Sequence, residues 1–299
     1  MNKYVRAIRI PFLAGSVSPV LIGVSLAYIE GYFLLWNFIA ALTGVAALHT
    51  AANLINDYYD SKGSDAVNIK VTPFSGGSRA IQEEGLSAAA VKKMAIFFLL
   101  VAFITMVFMI IEDRPMVVPI GLLGLFIGWA YSTPPLQLMS KGWGETIIFF
   151  AFGPLVTLGA YYAITGAMTV DSFLLGIPQG FLITGVIWIN EFPDYDADKS
   201  VGKKNLVVRM GPGKARYLYC LIMSMSFVSV LIITALCDIT AMILLAFISF
   251  PLAFRAMRIT WKDFTDHEKI VPSQALTVQT VLTQGLLISL GLILSHFIN

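Results

Sequence analysis

The chain has 299 residues, 57% of them hydrophobic and only 13% charged, whereas a soluble domain carries roughly 25% charged residues. Its formal net charge of +2 gives no ground for a nucleic-acid partner, and the composition excludes an ordinary water-soluble enzyme. Each membrane crossing needs about 20 apolar residues, so a chain of this length has room for a multi-pass bundle.

Nine apolar segments follow one another at about 8–29, 33–56, 93–111, 115–131, 146–167, 173–192, 215–236, 239–257 and 276–298. The amino-terminal stretch has the charged-then-apolar order of a secretory signal. Its apolar part is too long for one and no A-x-A-like cleavage site closes it, so a retained first helix is expected. The second segment ends in "NDYYDSKGSD" (56–65), which opens a loop over about 60–92. In the fourth, Gly124 and Gly128 have the small-xxx-small spacing that brings membrane helices close. Tyr131 ends that segment before two prolines, as an interfacial anchor or as an aromatic pocket wall. Glu145 begins the fifth, complementing the helix dipole or touching a substrate. The sixth ends in "NEFPDYDADKSVGKKNL" (190–206) and leads into a second loop over about 194–214. Cys220 and Cys237 lack metal or redox spacing and read as small packing residues.

With nine spans, one side holds the amino terminus and the loops after spans two, four, six and eight. All but Arg114 of the 20 Lys and Arg residues fall on that side. The bias predicts a cytoplasmic-membrane protein with a cytoplasmic amino terminus and an extracytoplasmic carboxyl terminus. No separate soluble domain is visible, and the two long cytoplasmic loops are expected to cap a single membrane domain.

The two acidic stretches share an N-xxx-D core and each precedes a basic, glycine-containing loop. At 100° per residue, His49, Asn53, Asn56, Asp57 and Asp60 fall within one arc of about 100°. Asn190, Glu191, Asp194 and Asp198 fall in a second arc, with Asp196 on the opposite side, provided Pro193 does not reset the helical phase. His49 reads as a hydrogen-bonded interior residue, and Tyr58 and Tyr59 as residues rimming the bilayer. Ionisable groups in a membrane domain face cavities and one another, and two facing carboxylate clusters repel unless cations lie between them. Magnesium suits hard oxygen donors shared with phosphate. Arg79, Lys199, Lys203, Lys204 and Arg209 stand ready for the remaining phosphate charge. A diphosphate at the mouth of an apolar bundle implies a lipid tail running into the bilayer.

These motifs resemble those of the UbiA superfamily of intramembrane prenyltransferases, along nearly the whole chain. The family's first motif is matched by Asn56, Asp57, Asp60 and Asp65, with the last spacing one residue longer than usual. The second is matched by Asn190, Asp194 and Asp198, with asparagine in the first position. "GGSRAIQEEG", "YSTPPLQL", "GWGE" and "GKKNLVVRMG" are most similar to the menaquinone branch. Gln137 replaces a basic residue found in many relatives, which shifts the expected phosphate contact to Lys141. The resemblance implies an all-α bundle of nine transmembrane helices with two cytoplasmic caps. It also implies transfer of an isoprenyl chain from its diphosphate to an aromatic acceptor, 1,4-dihydroxy-2-naphthoate being expected.

Two Mg²⁺ ions are then expected on Asn56, Asp60, Asn190, Asp194 and Asp198, with Arg79, Lys141 and Lys203 on the diphosphate. Asp60, Asp194, Asp198 and Lys203 are the expected catalytic set, and Asn53, Asp57, Asp65, Tyr131 and Glu191 are further candidates. Two alternatives stay open. One is another acceptor, such as 4-hydroxybenzoate, homogentisate, a chlorophyllide or a glyceryl phosphate. The other is an ion-coupled transporter.

Overall fold

A computed structural model describes residues 3–298, which are helix and loop with no strand among them. Nine helical segments run in chain order: α1 (Lys3–Ile29), α2 (Leu35–Asp60), α3 (Ala88–Ile111), α4 (Val117–Ser132), α5 (Gly144–Thr165), α6 (Val170–Ser200), α7 (Pro212–Leu236), α8 (Ala241–Asp263) and α9 (Val271–Ile298). Eight of them are long and apolar enough to cross a membrane. The exception is α4, whose 16 residues rise about 24 Å, short of the ~30 Å hydrocarbon core. The expected nine-helix bundle is therefore present, with eight helices of span length. Its apolar exterior, including Phe97, Leu100, Phe103 and Ile104 of α3 and Leu282, Leu286 and Leu290 of α9, is the surface a bilayer covers.

Hydropathy marks the hydrocarbon, not the helix, and the two differ where the acids lie. Helix α2 runs on to Asp60, so Asn56 and Asp57 are helical. Helix α6 continues through Pro193 to Ser200, which corrects the second loop: it begins at 201 rather than 194. Proline removes one backbone hydrogen bond, but Ile189, Phe192 and Ala197 are buried on both sides of it and hold the turn in place. Helix α1 is interrupted instead. Arg9 adopts a left-handed conformation (φ 57°) and Pro11 opens a 3₁₀ turn over Ile10–Leu13.

One buried cluster joins α6, α7 and α9 around Trp188, Ile189, Tyr219, Met223 and Val281. A second cluster joins α1, α5, α8 and α9 around Ile22, Ile164, Ile243 and Ile288. A buried polar seam crosses this half: Ser18 donates to Gln179 (2.8 Å), Gln179 to Gln284 (3.3 Å), and Ser226 to Gln284 (3.0 Å). Helices α2, α3 and α4 contribute fewer buried residues because their inner faces border a cavity. Gly124 and Gly128 set α4 against α2, where a β-carbon at either would press on Leu48 or Ala52 at 3.2 Å. Cys220 and Cys237 are both free thiols.

Candidate active site

The cavity, about 710 Å³, is polar at one end and apolar along the rest. At the polar end the two helical arcs face one another. Asn53, Asn56 and Asp60 of α2 and Asn190, Glu191, Asp194 and Asp198 of α6 all border it, joined by Asp65 from the turn after α2. Asp196 points elsewhere and pairs with Lys70 at 2.6 Å. The α6 phase therefore survives Pro193, and Asp196→Asn is expected to keep activity within a few-fold, whereas Asp198→Asn loses most of it. Initial rates of the two purified variants check this, and equal losses would refute the arc.

Lys203 links the motifs. Its ammonium lies 3.0 Å from Asp60 Oδ2 and 3.3 Å from Asp198 Oδ1. Burial alone would lower the pKa of Lys203, but Asp60 and Asp198 outweigh it and hold the group above its ordinary range. The carboxylates are oriented by amides from both caps. Asn205 donates to Asp198 Oδ2 (2.9 Å), Asn68 to Asp194 Oδ1 (2.7 Å), and the Gly76 backbone to Asp194 Oδ2 (3.1 Å). Asn56 turns its amide nitrogen to Asp60 Oδ2 (3.1 Å) and Ser132 (3.0 Å). Asn190 accepts from Gln274 through Oδ1 (3.0 Å), an oxygen that keeps a second lone pair.

Asp57 lies at one edge of the α2 arc and is drawn away from the cavity. Its Oδ1 accepts from the Ser78 backbone (3.2 Å) and approaches Arg9 at 3.8 Å. Nor do Arg79 and Lys141 reach the cavity, contrary to the expectation for both. Arg79 donates to Glu83 (3.0 Å) and to the Asp65 carbonyl, bracing the first cap. Lys141 donates to the Pro135 carbonyl at 2.9 Å. A basic residue in a loop does not reveal by its sequence which way its side chain turns. Lys199 stays with Tyr195, and Arg209 bonds the Lys204 and Lys141 carbonyls, so these too are structural.

Tyr131 borders the cavity, as a pocket wall. Glu145 does not; its Oε1 accepts from the Leu206 backbone (2.7 Å) and ties α5 to the second cap. His49 borders the cavity and bonds Ser16 through Nδ1.

The residues fit a magnesium site. The donors are hard oxygens of carboxylates and amides from two helices, and the cap amides hold them in place without using every lone pair. Burial, then the charges of Asp60 and Asp57, push the Asp65 carboxyl up to about 7 against Lys203 and Arg9. No three acidic, histidine or cysteine side chains among the described residues form a ready-made cage. This agrees with an ion that completes its shell with water and phosphate oxygens.

Three residues of the site escaped the sequence reading. Asn205 had a signal, since an asparagine before the apolar run "LVVRM" is a helix cap, and its side chain does accept from Val208. Asn68 had none, because its contact with Asp194 spans 126 positions. Arg9 borders the cavity from α1, far in sequence from either motif.

Residues 16–279 match the model of the UbiA prenyltransferase family. The chain is 27% identical to the 1,4-dihydroxy-2-naphthoate octaprenyltransferase of Bacillus subtilis (strain 168), over 95% of this chain and 90% of that one. It is 26% identical to the Escherichia coli (strain K12) protein of the same name, covering 99% and 96%. It is 27% identical to the chloroplastic 2-carboxy-1,4-naphthoquinone phytyltransferase of Arabidopsis thaliana, covering 97% and 77%. Among solved structures, the apo UbiA homolog from Aeropyrum pernix K1 superposes with a TM-score of 0.69 at 15% identity, covering 99% of each chain. A UbiA homolog from Archaeoglobus fulgidus bound to GPP and Mg²⁺ gives 0.61 at 18% identity, covering 96% and 100%. At those identities the likeness shows the fold.

Proposed function

This chain belongs to the UbiA prenyltransferase family, and from that premise we propose that it joins an isoprenyl diphosphate to 1,4-dihydroxy-2-naphthoate, with magnesium and with loss of CO₂, in menaquinone biosynthesis. One observation carries the reading: two helical acid motifs meet across Lys203 at one end of a cavity that is otherwise apolar. Such a cavity takes a charged headgroup and a hydrocarbon tail. On α2 its lining runs from Asp60 back to Ala40, about 30 Å along the helix axis, which suits a long isoprenyl chain. The names of the bacterial and plant relatives support the naphthoate acceptor.

Asn56, Asp60, Asn190, Asp194 and Asp198 would hold two magnesium ions, which supply positive charge to the diphosphate as it leaves. Lys203 donates to the diphosphate oxygens from between Asp60 and Asp198. The allylic C1–O bond breaks with its electron pair staying on the diphosphate, and the Tyr131 ring stabilises the carbon left positive. A carbon of the electron-rich naphthoate ring attacks that centre and loses its proton. The carboxylate departs as CO₂, and the ring carbon it leaves takes up a proton. The acidic end faces the cytoplasm in this reading, which the one-sided distribution of Lys and Arg supports. An ion-coupled transporter is disfavoured, because these acids sit near the ends of α2 and α6 rather than at the midplane where transporter sites gather.

Purified protein given the naphthoate, a long isoprenyl diphosphate and Mg²⁺ is expected to release one CO₂ per coupling, and chelation to stop it. Coupling to 4-hydroxybenzoate but not to the naphthoate would overturn the acceptor while leaving prenyl transfer in place.

A further inference from the structure

One guanidinium at the polar end of the cavity makes no hydrogen bond to either acid motif and meets only Asp57, the member turned away from the cavity, as an ion pair. Arg9 sits on the left-handed residue that breaks α1, its side chain only 15% exposed. Among the described residues it makes no side-chain hydrogen bond. It forms an ion pair with Asp57 at 3.8 Å, beyond hydrogen-bond reach; Asp57 Oδ1 accepts from the Ser78 backbone and its Oδ2 is buried without a hydrogen-bond partner. A planar fork of five donors is thus held in place over the Phe12 ring, 4.8 Å from its centroid, with its bonds unmade.

The surroundings of that fork are aromatic. Phe12 and Phe74, which brings in the first cap, meet edge to face at 6.4 Å and 71°, and both border the cavity beside Arg9. One turn before Asn56 on α2, Asn53 also borders the cavity, and its amide nitrogen is buried without a partner. A fixed cation, two aromatic rings and an unused amide donor are the complement of a flat aromatic acid bearing a hydroxyl. The diphosphate has its own cation in Lys203, between Asp60 and Asp198.

We propose that this corner seats the aromatic co-substrate: the Arg9 fork takes its carboxylate, the ring lies against Phe12 and Phe74, and Asn53 donates to a ring hydroxyl. Arg9 then selects hydroxylated aryl carboxylates over the same rings without the acid group. The proposal rests on the prenyl-transfer reading of the cavity and specifies its second substrate.

The test compares acceptors in pairs: 1,4-dihydroxy-2-naphthoate with naphthalene-1,4-diol, and 4-hydroxybenzoate with phenol. For the parent protein, Arg9→Gln and Arg9→Lys, kcat/KM is measured for each acceptor and KM for the prenyl diphosphate. The parent is expected to favour the acid of whichever pair it couples. In Arg9→Gln that preference falls by on the order of 100-fold, the loss of a paired charge-assisted hydrogen bond. Arg9→Lys restores part of it, and KM for the diphosphate stays near the parent's. Equal losses for acid and acid-free acceptors would reduce Arg9 to a structural role and overturn the proposal. So would a rise confined to KM for the diphosphate, or a parent that prefers acid-free acceptors. Coupling of the benzoate pair alone would sink the naphthoate reading and leave the Arg9 comparison in force. No coupling of any aromatic acceptor would sink the prenyl-transfer reading and this proposal together.

Discussion

Asp194→Ala is expected to lower kcat by on the order of 10³-fold or more, since a charged ligand at a departing diphosphate is worth several kcal/mol and each 1.36 is tenfold. Both oxygens of Asp194 are aligned, one by Asn68 and one by the Gly76 backbone. An Asp194 carboxylate that only closed a helix end would not need two donors from a loop more than 100 residues away. The substitution removes a negative charge from a cluster of like charges, so membrane insertion and thermal unfolding are expected to stay close to the parent's. Initial rates with radiolabelled prenyl diphosphate and Mg²⁺, alongside size-exclusion profiles, measure both sides. Near-normal turnover would place the diphosphate elsewhere and take the central reading with it.

Gly77→Ala should be nearly as damaging, for a reason of space. Gly77 has φ +76°, and a β-carbon there would lie 2.0 Å from Asp65 Oδ2, so the carboxylate must swing out of its place at the cavity edge. Gly85 provides the control. It too is left-handed, at φ +66°, yet a β-carbon there meets nothing within 4 Å. Both alanine variants bear backbone strain of about 1 kcal/mol, and only Gly77→Ala displaces Asp65. A drop in kcat of on the order of 100-fold for Gly77→Ala, against a change within a few-fold for Gly85→Ala, is the expected result. Similar rates for the two would mean that the position of Asp65 does not matter.

Much of this architecture could be read in the chain itself, because the bilayer imposes a single length and polarity on every crossing. The nine apolar segments, the glycine pair on α4 and the pairing of two N-xxx-D cores are all local patterns with a fixed helical period. The arcs on α2 and α6 followed from the same period, down to Asp196 turning outward to Lys70. Legibility ended where the chain leaves the helix. Arg79, Lys141 and Lys203 are all basic loop residues, yet only Lys203 reaches Asp60 and Asp198. That choice is made by loop geometry, which no periodicity encodes. Arg9 was hidden for a related reason. A left-handed arginine is rare, and nothing near it in sequence announces that it will stand beside Asp57.

The polar seam across the bundle bears on how the molecule is made. Gln179 lies inside α6 with both ends of its amide committed, to Ser18 behind it in the chain and to Gln284 ahead of it. Synthesis delivers Ser18 early, but α9 leaves the ribosome well after α6. Until α9 arrives, one donor of Gln179 has no partner from that helix, and hydrocarbon provides none. The half-made bundle must therefore hold α6 where water, the insertion machinery or another side chain can satisfy that donor. Helix α9 does more than add a crossing: it is the element that lets α6 give up its escort and settle in lipid.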